Sequence, residues 1–158
     1  MDINATSYAK ENFDKLRQAL DERKWHYDTD EEDYSVSFKV NGDDLLLDFQ
    51  IRVDKKRDLV VLYSRLPFKV SKERAVQMAQ AVNHANTMLA EGSFDYNYKS
   101  GFLCYRLTNS FRGSVLSASV YDRMISMAGH TVDDYNEKFL LLSLGAISLE
   151  ACKKMIEE

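Results

Sequence analysis

The side chains able to do chemistry in this chain are few and scattered. Three histidines, His26, His84 and His130, share no ligand spacing, and two cysteines, Cys104 and Cys152, lie far apart. Neither set makes the C-x-x-C or i,i+4 arrangement that brings two metal ligands or two redox thiols together, so no metal or cofactor is expected. His84 reads as a surface or capping residue and Cys104 as a small buried apolar one. The acidic run Asp28-Thr29-Asp30-Glu31-Glu32-Asp33 has the carboxylate density of a calcium loop. An EF-hand loop needs glycine at its sixth position and glutamate at its twelfth; Asp33 and Lys39 stand there, so the run reads as a solvated loop. Lys55-Lys56-Arg57 is flanked by Asp54 and Asp58 with no aromatic between, which suits an exposed turn better than a phosphate grip.

One constellation remains. Arg65 and Arg106, beside Tyr63 and Tyr105, fall on strands expected to be neighbours, and two guanidinium groups there could hold an anion. Surface arginines lying on tyrosine rings account for the same residues without a ligand. The chain has no G-x-x-x-x-G-K-[ST] loop, no G-x-G-x-x-G, no H-E-x-x-H and no G-x-S-x-G, so catalytic residues are not expected. A triad assembled in space from distant residues is the route to an enzyme that such motifs do not test.

The chain's 158 residues match one domain, and 45% hydrophobic content supplies a core. The formal net charge of −4 argues against a nucleic-acid surface, which needs a basic face. The N-terminus, Met1-Asp2-Ile3-Asn4, lacks the basic and apolar regions of a signal peptide. The longest apolar run, Phe139-Leu140-Leu141-Leu142, falls far short of the ~20 residues of a membrane span. A cytoplasmic protein with no membrane partner is therefore expected, in a single domain over residues 1–158.

The elements that must position these residues follow from periodicity. Ala9, Phe13, Leu16 and Leu20 make a helical stripe, with Ser7 or Thr6 as its cap. Trp25-His26-Tyr27 is a short strand or the approach to one. Tyr34, Val36, Phe38 and Val40 alternate with polar residues, Leu45, Leu47, Phe49, Ile51 and Val53 alternate with Leu46, Asp48, Gln50 and Arg52, and Asn41-Gly42 between them is a hairpin signal. Leu59–Leu66 is a third strand, apolar on both faces and ended by Pro67. Its second face is either covered or meets another chain. Ser71 caps a central helix through Ala75, Met78, Ala79, Val82, Ala85 and Leu89, with Gly92 as its stop. Asn86 falls on the apolar stripe, where its amide must find a partner.

A hairpin follows, with strands over 93–98 and 102–108 around Lys99-Ser100-Gly101. After a loop over 109–116, three helices are predicted. The first starts at Ser117 and stops at Gly129, the second runs from Thr131 to Gly145, and a short one is capped by Ser148. The fold class is α+β: an antiparallel sheet with helices packed mainly on one face, in the order α-βββ-α-ββ-α(αα). Its core spans about 7–108 and its C-terminal helices about 117–157.

That order resembles the YbjN family of bacterial proteins, described as sensory-transduction regulators, whose fold is like that of the type III secretion chaperones. The residues carrying the resemblance run from Leu62 to Leu107. They are Leu-Tyr-Ser-Arg-Leu-Pro-Phe-Lys-Val before the helix, Val-Asn-His-Ala-Asn near its end, and Glu-Gly-Ser-Phe-Asp-Tyr with Gly-Phe-Leu-Cys-Tyr-Arg in the hairpin. The resemblance implies a binding or regulatory protein, dimeric, with no catalytic residues to carry over. A sheet covered on one side leaves a face or an edge for a second copy or for a segment of another protein. The expectation is a non-enzymatic, chaperone-like protein-binding module acting as a homodimer, with a small-anion sensor using Tyr63, Arg65, Tyr105 and Arg106 as the alternative.

Overall fold

The computed structural model describes residues 3–43 and 45–158, with side chains from residue 8 onward. Helix α1 (Ile3–Glu22) is followed by strands β1 (Asp28–Asp30), β2 (Ser35–Asn41), β3 (Leu46–Asp54) and β4 (Leu59–Lys69). A 3-10 turn (Lys72–Arg74) leads into α2 (Ala75–Met88), and β5 (Ser93–Tyr96), β6 (Phe102–Ser110), α3 (Ala118–Ser143) and α4 (Leu149–Glu157) complete the order. The six strands form one antiparallel sheet, β1-β2-β3-β4-β6-β5. The α+β class and the one-sided placement of the helices are as the periodicity predicts.

Register shows why one face is dry. Val36, Ile51, Leu62 and Leu107 stand side by side across four strands, and Phe38, Phe49, Ser64, Tyr105 and Phe94 form the next row. All nine are buried, and the eight apolar ones join one core cluster with Phe13 and Leu16 of α1, Met78 and Val82 of α2, and Tyr121, Met124 and Phe139 of α3. Side chains alternate along each strand, so the next residues in sequence face away from the helices.

Several local expectations fail for identifiable reasons. Helix α1 begins at Ile3, ahead of Thr6 and Ser7, so neither is its cap. The segment Trp25–Tyr27 is only the approach to β1; the strand itself uses Asp28–Asp30 of the acidic run, paired with Ser35–Ser37. Tyr34 is not in a strand: it turns the chain with φ 49°. The Asn41-Gly42 hairpin forms, with Gly42 N–H bonded to the Leu45 carbonyl; Asp44 of that turn lies outside the described residues.

The central helix is entered through the 3-10 turn, and Ser71 makes no side-chain cap. It ends at Met88, and Gly92 (φ 71°) lies beyond it on the way into β5. A Cβ on Gly92 would strike the Tyr105 hydroxyl, so its role is close approach to β6. The hairpin strands also differ: β5 stops at Tyr96, and β6 continues to Ser110 into the expected loop.

The largest difference is α3. Gly129 and Thr131, read as a stop and a cap, both lie inside one 26-residue helix. Ile125, Ala128, Val132, Tyr135 and Phe139 continue a single buried stripe across Gly129. Burial of that stripe outweighs the ~1 kcal/mol that glycine costs in a helix interior. The predicted end at Gly145 is found: its N–H bonds the Leu142 carbonyl and that of Ala146 bonds Leu141, a left-handed C-terminal closure.

Candidate functional site

The helix-free face of the sheet is the surface the fold leaves available. Its central row is Ser37, Gln50, Tyr63, Arg106 and Ser93, set side by side by register. A second row holds Ser35, Arg52, Val61 and Thr108, and a third brings Arg65 beside Cys104 and Asp95. The apolar second face expected of Leu59–Leu66 is not continuous. Val61 is buried between Arg52 and Thr108, Leu59 is half-buried, and Tyr63, 36% exposed, stands at the centre among polar neighbours.

Each sheet edge carries a feature that opposes a further strand. At one end β1 is three residues long, exposed, and carries Asp28 and Asp30, a short charged edge of the kind that discourages pairing. At the other end Asn86 of α2 sits against β5. Its Nδ2 donates to the Phe94 carbonyl at 3.0 Å and its Oδ1 accepts the Phe94 N–H at 2.8 Å. The amide takes the place a neighbouring strand would occupy, which answers where a polar residue on that apolar stripe finds its partner.

The four residues singled out from the sequence do not form one site. Tyr63, Arg65 and Arg106 lie on the helix-free face. Tyr105 points to the opposite side, fully buried, tilted against Phe94, with its hydroxyl donating to the Glu91 carbonyl at 2.9 Å. Arg106 is engaged by Asp95 through two hydrogen bonds of 2.6 and 3.1 Å, and that carboxylate raises the guanidinium pKa. Arg65 lies on Phe102, not on a tyrosine, with its guanidinium carbon 3.6 Å from the ring centroid. Cys104, between these groups, has its thiol pushed up to about 11, first by burial and then by the Asp95 charge.

A β-bulge creates this corner. Arg65 pairs with Cys104 and Lys69 with Phe102, so the residues 66–68 oppose Leu103 alone. Pro67 sits in the bulge and does not end the strand; a bulge is where a missing N–H is tolerated. Leu66 turns into the core while Arg65 and Lys69 both reach Phe102, the Lys69 ammonium at 5.8 Å from its centroid. A groove of about 510 Å³ opens beside them, lined by Arg65, Asp95, Asn97, Phe102 and Cys104 among others. The sequence reading missed Lys69, Phe102 and Asp95 as members of this group. The signal that could have found them is a proline inside an otherwise sound strand pattern, which marks a bulge.

The other reactive groups stay apart. His84 Nε2 is 2.9 Å from Glu157 Oε1 on α4, and His26 and His130 line separate grooves. Among the described residues no three of His, Cys, Asp or Glu are grouped as metal ligands, and no helix is long and apolar enough to cross a membrane.

A one-sided antiparallel sheet backed by helices in this order defines an α+β protein of the type III secretion chaperone-like fold. The chain superposes on a chain of the ExsC–ExsE complex with a TM-score of 0.59 at 10% identity, covering 87% of this chain and 96% of that one. It superposes on the crystal structure of YbjN from E. coli with a TM-score of 0.57 at 11% identity, covering 85% and 89%. At such identities the likeness is one of fold. The chain belongs to the YbjN family, whose model, described as "Putative bacterial sensory transduction regulator", matches residues 12–141. No curated protein sequence matches it.

Proposed function

We propose that this protein is a non-enzymatic, protein-binding regulatory module whose partner docks on the helix-free face of the sheet. The observation that carries the reading is the division of labour within the fold. The helices bury one face, Asn86 and the acidic β1 occupy the two edges, and the opposite face stays bare with Tyr63 at its centre. Aromatic side chains ringed by polar groups are the usual anchors of protein interfaces. The family description and the appearance of the same fold in a two-protein complex, ExsC with ExsE, support a binding role. In the absence of another protein the partner is a second copy of the chain, giving a cytoplasmic homodimer that serves sensory or stress regulation.

Light scattering on wild type and Tyr63→Glu tests this. Wild type is expected to have the mass of a dimer and the variant, which places a carboxylate at the centre of the face, that of a monomer. A wild-type monomer whose Tyr63 face gains no protection from hydrogen exchange when a partner is bound would sink the reading.

A further inference from the structure

We infer that the corner made by Arg65, Lys69 and Phe102 is a docking point for an acidic segment of a partner protein. The inference rests on the protein-binding reading above and specifies the chemistry of the partner.

Cations on the helix-free face divide into two kinds. Arg52 is paired with Asp33 at 3.0 Å and Arg106 with Asp95 at 2.6 Å. Lys39 stands in register opposite Asp48 without an ion pair to it, and among the described residues it lies alone at the β2–β3 end of the face. Arg65 and Lys69 have no carboxylate within ion-pair distance among the described residues; both converge on the ring of Phe102. Four positions along a regular strand would hold these two side chains about 13 Å apart at their backbones. The bulge at residues 66–68 brings them to one ring. Like charges gathered around a partly exposed aromatic raise the local positive potential, and among the described residues no carboxylate forms an ion pair with either cation.

Lys99 adds a further positive charge in the neighbouring turn, where the Asn97 carboxamide oxygen accepts the N–H groups of Lys99 and Ser100. That turn is fixed against β4, since Val70 N–H bonds the Gly101 carbonyl at 2.8 Å. Asp95 lies at the groove's edge but is already bound to Arg106. The corner is therefore a small basic, aromatic spot on a chain of net charge −4.

Charge complementarity selects the occupant. A carboxylate can take paired hydrogen bonds from the Arg65 fork while an apolar neighbour in the segment lies along the groove beside Phe102 and Tyr96. A nucleic acid would need a basic track many phosphates long, which a chain of this charge does not offer. A free inorganic anion would use the guanidinium but leave the groove unfilled.

The test uses the full chain and a fluorescein-labelled peptide of alternating glutamate and phenylalanine, read by anisotropy at low and moderate salt. Controls are the same peptide with glutamine in place of glutamate, a labelled single-stranded oligonucleotide, and inorganic phosphate as competitor. Binding of the glutamate peptide is expected to weaken by about 10-fold or more in the Arg65→Gln/Lys69→Gln variant. It should be unchanged in Lys55→Gln/Lys56→Gln, whose charges lie in the turn between β3 and β4. Equal binding of the glutamine peptide, equal binding by the Arg65/Lys69 variant, tighter binding of the oligonucleotide, or full displacement by phosphate each overturns the inference. The Tyr63→Glu result separates the two readings. A dimer lost in Tyr63→Glu, with no preference for the acidic peptide, ends the corner proposal and leaves the face proposal standing.

Discussion

Asn12 is the residue whose removal should reveal how the chain is tied together. It is completely buried in α1 and all of its hydrogen-bonding capacity is used. Nδ2 donates to the carbonyls of Tyr8 at 2.8 Å and Ser114 at 3.0 Å; Oδ1 accepts the Leu116 N–H at 2.9 Å and the Tyr121 hydroxyl at 2.9 Å. One amide thus joins the first helix to the loop after β6 and to the start of α3. In Asn12→Ala the Ser114 carbonyl and the Leu116 N–H lose these partners, while the Tyr121 hydroxyl keeps the backbone carbonyl of residue 12 at 3.0 Å. Both groups are only part-buried, so each left unpaired costs toward the low end of about 1–3 kcal/mol, and with the void left by the buried amide the substitution should cost about 3 kcal/mol. For a domain of this size that lowers the melting temperature by roughly 6–12 °C.

Asn12→Asp separates geometry from charge. It keeps the acceptor for Leu116 and Tyr121 but turns an oxygen toward two carbonyls, and burial raises the new carboxyl above its ordinary ~3.9. A raised folded-state pKa means the penalty is smallest below that ordinary value and complete once pH exceeds the folded one. The assay is urea denaturation followed by circular dichroism across acid to neutral pH. A loss below ~0.5 kcal/mol for Asn12→Ala, the size of an ordinary surface change, or a pH-independent Asn12→Asp, would refute the reasoning.

Asn86→Ala should cost about 2 kcal/mol and expose the Phe94 backbone at the β5 edge; faster amide exchange at Phe94 and a greater tendency to aggregate are the readouts. Gly129→Ala should stabilise the protein by about 1 kcal/mol, because the position is helical and an added Cβ meets nothing within 4 Å. Gly92→Ala should do the opposite by at least ~2 kcal/mol, through its positive φ and collision with the Tyr105 hydroxyl; equal effects at both glycines would contradict the structure. Burial raises the pKa of Cys104, Cys152, Tyr105 and Tyr121, with Cys104 moving from 9.0 to about 11. The folded state therefore keeps protons that the unfolded chain releases. The Cys104 contribution to stability should be full below pH 9.0 and lost as pH rises through about 11. Over the same range the Cys104 thiol should resist alkylation until the chain unfolds, measurable by mass spectrometry.

Local sequence was sufficient wherever one face of an element is wet. Alternation placed β2 and β3 and assigned Leu47, Phe49, Ile51 and Val53 to the core; a 3.6-residue stripe placed α1 and α2. Those patterns report burial directly, and here burial decides conformation. Sequence also showed that Asn86 needed a partner and that Gly145 would end a helix, since both are demands of the backbone itself.

Tertiary structure decided what local signals left balanced or misread. Gly129 is a poor helix residue, but the buried stripe from Ile125 to Phe139 runs across it and holds α3 continuous. Pro67 cannot donate to a ladder, yet the β4–β6 register shift gives it a place and turns Arg65 and Lys69 toward one ring. Tyr105 and Arg106 are neighbours in sequence and therefore on opposite sides of the sheet. Which side carries the helices depends on packing between elements far apart in the chain, and no short-range pattern contains that information.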